Sequence, residues 1–532
     1  MYRKNNYNQI EMIDPTLWWL SDEAKEALMK SWAYTFTTVI FPAIDEAPFD
    51  VLYSDKPSRP NTPINIIVGA LIIKELFDLS DDEFVEQVKF HIQFQFALRT
   101  TSYHNQPFSD KTLSRFRRRC YDYEKETGID LLKECFKGLS TQIASFMKVS
   151  GHLRRMDSIM IDADIKNLTR AQLIYKCNQN LAKYIDKNMQ DKLPKEMKHY
   201  LDSNDFNEQF YYKRNSETKD TIAQLLADAD ALLALSTECD TESSAYKNLV
   251  RCLDEQTVIE DGNRRLSTPE DGTMHADMLQ NPSDTEATYR EKAGKKHKGY
   301  VANVEESVGP NGSVITDYDY QPNTQSDSNF LEERLNNLEK QEETVTIVAD
   351  GAYAGADNAE LAKEKNIEIV TTELAGRETR DIAADFTFSE DGKEILSCPA
   401  GNVPKKTTYN ASNESCTASF HADICSMCPH KAECKAKANS VTAYVTLSKK
   451  AHDRAVAKRE RSTDKFKNLA KIRNGVETIP SILRRNYGID HLPRGIIRGK
   501  FFFGAKIMAL NFRKLMTMCT GRGNYAQNPL LV

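Results

Sequence analysis

Two aspartates lie where carboxylates can meet a metal ion. Asp157 is embedded in the strand-like run LRRMDSIMIDA (153–163), and Asp350 directly follows the apolar run VTIVA (345–349) and precedes Gly351. Carboxylates at strand ends, beside a glycine that lets backbone or ligand approach, are well placed for a divalent cation. Brought together without compensation, two of them repel by about 4 kcal/mol at roughly 4 Å and an effective dielectric near 20. A cation or a proton must then offset the repulsion. Mg2+ prefers such oxygen ligands, keeps several waters and takes phosphate oxygens as partners. Two such ions can activate an attacking oxygen and stabilise a leaving one. An Asp after a strand also serves as a turn former or cap. Asp162 and Asp164 compete with Asp157 for the first role, but on a strand without a bulge both fall on the opposite face.

A third acid sits in a basic helical stretch. Arg473, Glu477 and Arg484 follow one another at spacings of four and seven residues. On one continuous helix they share a face, with the acid free to reach metal and the guanidinium groups free to hold phosphates. Pro480 is expected to kink or restart that helix between Glu477 and Arg484. The same spacing also describes an exposed, salt-bridged helix.

A separate metal candidate is the cysteine set of residues 376–445. Cys425 and Cys428 form a C-x2-C pair, Cys434 follows, and Cys398 lies upstream, with Cys416 and His430 as further donors. Four thiolates suit structural Zn2+; the alternative is a reduced cluster packed in a small β-rich insertion. Elsewhere the cysteines are scattered, as small core residues often are.

Net charge is −6, which argues superficially against a nucleic-acid partner, yet residues 431–525 carry +16 and the remainder −22. Such asymmetry points to a basic face for a polyanion. Phe501, Phe502, Phe503 and Gly499 lie in the same basic segment, more than a merely solvated helix needs. The N-terminal MYRKNNYNQI has no apolar core of a secretory signal, and the longest apolar run, about Ile64–Ile73, is too short to span a bilayer. The expected compartment is the cytosol, with no membrane partner.

The elements that must position these residues are readable in outline. Residues 1–150 read as an all-helical domain. PINIIVGALIIKEL (63–76) is a core helix. Ser80 and Glu83 form a capping box for a helix through about Leu98, Ser109 caps DKTLSRFRRRC, and another helix covers Leu131–Met147. Arg115, Arg117 and Arg118 make the RFRRR helix a candidate DNA contact. From residue 151 the pattern becomes α/β. Asp157 lies on a buried strand, and a helical insertion occupies about 166–285. GYVANVEESV and SVITDYDYQP form a hairpin across Asn311-Gly312. VTIVA and IEIVTT (367–372) are further strands, with helices at Ser328–Gln341 and Ala356–Lys365. Residues 270–295 read as irregular. A first core part thus covers 151–375, the cysteine-containing insertion 376–445, and a second core part 446–532 with the Glu477 helix and a basic tail.

Several of these motifs resemble one family. The stretch AKIRNGVETIPSILRRNYGIDHLPRGIIRGK (470–500) resembles the insertion-sequence transposases with an Asp-Asp-Glu triad, whose third acid sits in a Tyr-x2-Arg-x3-Glu-x6-Lys pattern. Arg473 and Glu477 match it, Arg484 stands for the Lys, and Ala470 replaces the Tyr. RMDS (155–158) and IVADGAYAGADN (347–358) look like the first and second Asp motifs, and DTEATYREKAGKKHKGYVANV (284–304) like the approach to the second strand, with Lys298 a candidate phosphate contact. Residues 59–119 resemble the family's N-terminal helical domain. The resemblance implies an RNase H-like mixed sheet flanked by helices, with Asp157, Asp350 and Glu477 holding Mg2+ (or Mn2+). It implies cleavage at transposon ends and strand transfer into target double-stranded DNA by a homodimer associated with the nucleoid. A catalytically inactive, transposase-derived DNA-binding protein is the alternative.

Overall fold

The computed structural model describes residues 2, 4–5, 15–54, 56, 61–109, 111–189, 192–212, 219–236, 241–292, 294–371 and 379–519. The basic tail beyond Cys519 lies outside them. Contacts divide the chain into two compact units that do not follow chain order: residues 1–151, 157–330 and 478–532 in the first, and 152–156 with 331–477 in the second. The whole is mixed α/β, with a helical N-terminal region.

In the first unit the apolar run becomes helix α1 (Ile64–Leu76), in which all thirteen residues are buried. A helix apolar on most sides needs protein around it everywhere. The Ser80–Glu83 capping box forms as expected. Its helix, however, stops at Phe90, because His91 turns extended and a short helix, Ile92–Ala97, restarts the path. The RFRRR segment opens helix α2 (Thr112–Thr127), which begins after Lys111 rather than at Ser109 and ends at left-handed Gly128. Asp130 caps α3 (Leu131–Met147) by accepting from Lys133 N at 3.0 Å.

The sheet of this unit contains β1 (Leu153–Asp162), whose later residues belong here, β2 (Thr288–Lys292), β3 (Lys295–Gly309) and β4 (Gly312–Pro322). β3 pairs antiparallel with β2 through its first residues and with β4 through the rest, and β1 neighbours β3. Gly299, at φ 151°, permits the close approach to β1: a Cβ there would stand 2.4 Å from Ile161 O. The hairpin turns at Pro310–Asn311, between paired Gly309 and Gly312. β2 lies in a stretch expected to be irregular; its sequence, TYREK, is too short and charged to show a period. The insertion folds as helices Arg170–Asn188, Lys219–Ser236 and Ser244–Gln256 around their own core of Ile174, Tyr175, Leu181, Leu232 and Leu253.

The C-terminal helix, Ile496–Cys519, changes the meaning of the basic segment. Phe501 and Phe503 are buried, and a Cβ on Gly504 would meet Tyr318 Oη at 2.2 Å. Asn511 bonds both Ile315 N and Ile315 O, at 2.9 and 2.8 Å. Lys506 pairs with buried Glu75 at 2.6 Å, Lys514 with buried Glu306, and Lys500 with Glu124. The aromatics and these lysines therefore serve the interior rather than a polyanion-binding face. Part of the local basic excess neutralises acids supplied by the rest of the chain.

In the second unit, Leu153–Arg155 of β1 pair in parallel with Thr346–Val348 of β5 (Val345–Ala349), and β5 pairs in parallel with β6 (Ile367–Thr371). Met156, Leu331, Leu335, Ile347, Ala349 and Tyr353 form the core beneath them. The cysteine segment builds a separate four-stranded antiparallel sheet in the order Lys406–Asn410, Ser415–His421, Thr442–Ser448, Lys437–Ala438. Helices Lys449–Glu460 and Asp464–Asn474 follow.

Candidate active site

Asp350 leaves β5 at its C-terminal end. Its carboxylate accepts from Ala352 N at 2.7 Å, capping the turn Gly351–Tyr353. The capping role and the candidate metal role thus fall on one residue, with the second oxygen pointed elsewhere. That second oxygen, Oδ2, lies 3.8 Å from Arg473 Nη2, and Arg473 Nη1 donates to Glu477 Oε1 at 2.5 Å. One guanidinium therefore joins the two acids that the sequence singled out in this unit. Arg473 is 14% exposed, whereas Glu477 is 61% exposed, so the cation is fixed and the acid is reachable.

The helix bearing this pair is not continuous. The Asp464–Asn474 helix ends, Gly475–Glu477 form one tight turn, and a new helix runs over Thr478–Tyr487. The restart falls between Glu477 and Arg484, as Pro480 led one to expect. Proline is tolerated in the first turn, where the backbone N–H groups lack helical partners.

A residue missed in the sequence secures this break. Arg155 of β1, 6% exposed, donates from Nη1 to Ile472 O at 2.6 Å. It thereby satisfies a carbonyl near the end of the helix that carries Arg473. Gly475 leaves room for it: a Cβ there would stand 2.1 Å from the same Nη1. The signal was available, since Arg155 precedes Asp157 by two and lies on the same strand face.

In the first unit, Asp157 is half-buried on β1 and accepts from Ser158 N at 2.9 Å. Lys292 Nζ reaches Ser158 Oγ at 3.3 Å. The competing acids are otherwise engaged: Asp162 pairs with His297 Nδ1 at 2.9 Å and Asp164 with Arg494 at 3.7 Å. Lys298 is half-buried with no ion pair among the described residues, and burial followed by the charge of Lys296 pushes its ammonium pKa down. Arg115 and Arg118 are exposed on α2. Arg117 is committed within the fold, paired with Asp81 and set over the Phe502 ring at 5.2 Å. Arg484 is likewise held, by Asp490 at 3.3 Å and Met160 O at 2.6 Å.

Among the described residues, no three His, Cys, Asp or Glu side chains form a group able to hold a metal as they stand. Asp350 and Glu477 supply oxygen donors of the type Mg2+ prefers, and Arg473 supplies the positive charge that otherwise offsets them.

Two families match the sequence. Residues 30–119 match a transposase domain (DUF772), and residues 397–516 match a transposase DDE domain. Both matches support an insertion-sequence DDE transposase. The DDE match takes in Arg473, Glu477 and Arg484, together with Cys398, Cys425, Cys428 and Cys434. The helical match covers α1 and the first half of α2, including Arg115, Arg117 and Arg118. No curated protein and no solved structure matches the transposase.

Proposed function

We propose that this transposase cuts DNA at transposon ends and joins the freed ends to target DNA, with Asp157, Asp350 and Glu477 as the metal-holding acids. The observation that carries the reading is the shared guanidinium: Asp350 from a strand end and Glu477 from a helix break meet on Arg473. Two acids distant in sequence are held near each other around a positive charge, as a cation site requires. Asp157 is included because the RMDS motif on β1 resembles the first Asp motif of such enzymes. An RNase H-like core is supported by the antiparallel β3–β4 hairpin and by the parallel β1–β5–β6 ladder with its helices.

Bound Mg2+ or Mn2+ would supply electrophilic stabilisation of charge on the phosphate oxygens. The chain's own residues do the rest. Water attacks the phosphorus at the transposon end and the P–O3′ bond breaks, leaving the 3′-OH on one strand end and the phosphate on the neighbouring nucleotide's 5′ oxygen. That hydroxyl then attacks a target phosphodiester, a P–O bond forming as another breaks. With the two acids holding a cation, Arg473 would be free to hold a phosphate. Arg115, Arg118 and Lys298 are the proposed further phosphate contacts, and a homodimer on double-stranded DNA at the nucleoid is the proposed assembly.

The test is an assay with purified protein, Mg2+ and a labelled transposon-end duplex. Nicking that is abolished by chelator and by Glu477→Ala supports the reading. DNA binding without any nicking by the wild type would leave an inactive DNA-binding protein instead.

A further inference from the structure

Away from the acidic site, four cysteines line one cavity. Cys398, Cys425, Cys428 and Cys434 together border a space of about 150 Å3, and each is a reduced, half-buried thiol. They come from two places in the fold. Cys398 opens a tight turn in which Gly401 N donates to Cys398 O at 2.8 Å, with Gly401 at φ 78°. Cys425 and Cys428 sit at the end of the Ala422–Ser426 helix, and Cys434 closes the Lys431–Cys434 helix. Cys416 stands apart, buried in the neighbouring sheet and donating to Gly392 O at 3.5 Å.

What holds these two helices down needs an explanation. They are five and four residues long and neither buries a residue. Ile424 and Met427 are largely exposed, Met427 at 88%. Helices of one turn do not persist without tertiary anchorage. The segment's apolar core, built on Phe386, Ile395, Phe420, Val445 and Leu447, lies mostly in and beside the sheet; among the described residues Cys398, Cys425, Cys434 and Ala436 pack against it from the cavity side. A structural zinc site supplies folding energy where apolar burial is thin.

We propose that Cys398, Cys425, Cys428 and Cys434 bind one Zn2+ as a tetrathiolate, stapling both one-turn helices to the Cys398–Gly401 turn. Four S–H bonds give up protons to solvent and four Zn–S bonds form, leaving a net charge of −2 on the centre. Arg380, which donates to Cys434 O and acts electrostatically on its thiol, lies close enough to offset part of that charge. The thiols are not yet grouped at ligand distance, so binding draws them into the shared cavity, by rotation about their single side-chain torsion and small shifts of the two helices. This site is independent of the phosphoryl-transfer reading.

The experiment uses the full chain, purified under reducing conditions and analysed for metal by mass spectrometry, then exchanged with Co2+. The expected result is one zinc per chain, and a cobalt form with strong thiolate-to-metal charge-transfer absorption. Cys398→Ser, Cys425→Ser, Cys428→Ser and Cys434→Ser should each lower the zinc content at least two-fold, while Cys416→Ala and His430→Ala keep it. Wild-type protein that retains no zinc and gives no charge-transfer band overturns the proposal, whatever the folding of the variants. So does an intact mass showing the thiols joined as disulfides. Loss of zinc in His430→Ala with retention in Cys398→Ser overturns the tetrathiolate assignment.

Discussion

Gly475→Ala should destabilise the second unit, although alanine normally favours a helical backbone. Gly475 has φ −64° and ψ −23°, angles any residue adopts. On conformational grounds the substitution should therefore add about 1 kcal/mol of stability. The obstacle is steric. The new methyl would lie 2.1 Å from Arg155 Nη1 and 3.1 Å from its Cζ. Arg155 is buried, so its guanidinium must surrender the 2.6 Å bond to Ile472 O to make room. Losing a hydrogen bond from a charged donor costs about 1.5–3 kcal/mol. The net expectation is a loss of about 0.5–2 kcal/mol. A double-mutant cycle separates the two effects. In an Arg155→Ala background, where the clash is gone, Gly475→Ala should be neutral or stabilising by up to about 1 kcal/mol. Chemical denaturation of the four proteins, followed by a probe placed in the second unit, reads both signs. A stabilising Gly475→Ala in the wild-type background would refute the claim that Arg155 and Gly475 jointly set the helix break beside Glu477.

Other perturbations test other parts of the account. Arg473→Ala removes the cation that joins Asp350 and Glu477, so the Mg2+ concentration for half-maximal nicking should fall while the maximal rate drops about ten-fold or more, about 1.4 kcal/mol per decade; unchanged Mg2+ dependence would argue against the shared-guanidinium reading. Lys514→Met removes the cation paired with buried Glu306 and should cost about 3–5 kcal/mol, whereas Lys514→Met with Glu306→Leu should recover most of it, as thermal melts would show. Burial, only partly offset by backbone N–H groups of Asn5 and Ile64, holds the Glu46 carboxyl above the usual carboxylate range. The folded state then binds the extra proton, so its contribution to stability is present at low pH and lost as pH rises through the folded pKa. Glu46→Gln should flatten that slope in denaturation curves taken across the acid range, and an unaltered slope would exclude Glu46 as its source.

Much of this architecture was legible in the sequence because the decisive segments carry strong local signals. The α1 run is mostly apolar, the Ser80–Glu83 box is a matched pair of side-chain and backbone bonds, and VTIVA and IEIVT are apolar at most positions. The strand carrying Asp157 and the strand end carrying Asp350 emerge where the alternation and the following glycine place them, and the break ahead of Arg484 follows from Pro480. The failures share a different cause. The role of Lys506, Lys514 and Phe501–Phe503 depends on partners hundreds of residues away, such as Glu75, Glu306 and Tyr318. Local composition read them as a surface for DNA. Arg155 could be placed on the Asp157 face from the sequence, but its bond to Ile472 O in a distant helix could not. Arg117 and Arg484 looked like free phosphate ligands because Asp81, Asp490 and the Met160 carbonyl cannot be matched to them from spacing alone.

The proposal that the three acids share a cation is tested by charging the protein with Fe2+ in place of Mg2+ and generating hydroxyl radicals at the bound ion. Backbone scission mapped by mass spectrometry should fall near residues 157, 350 and 477 together, and excess Mg2+ should suppress all three sites in parallel. Scission near 350 and 477 with none near 157, or cuts that Mg2+ does not suppress, would contradict a shared cation site.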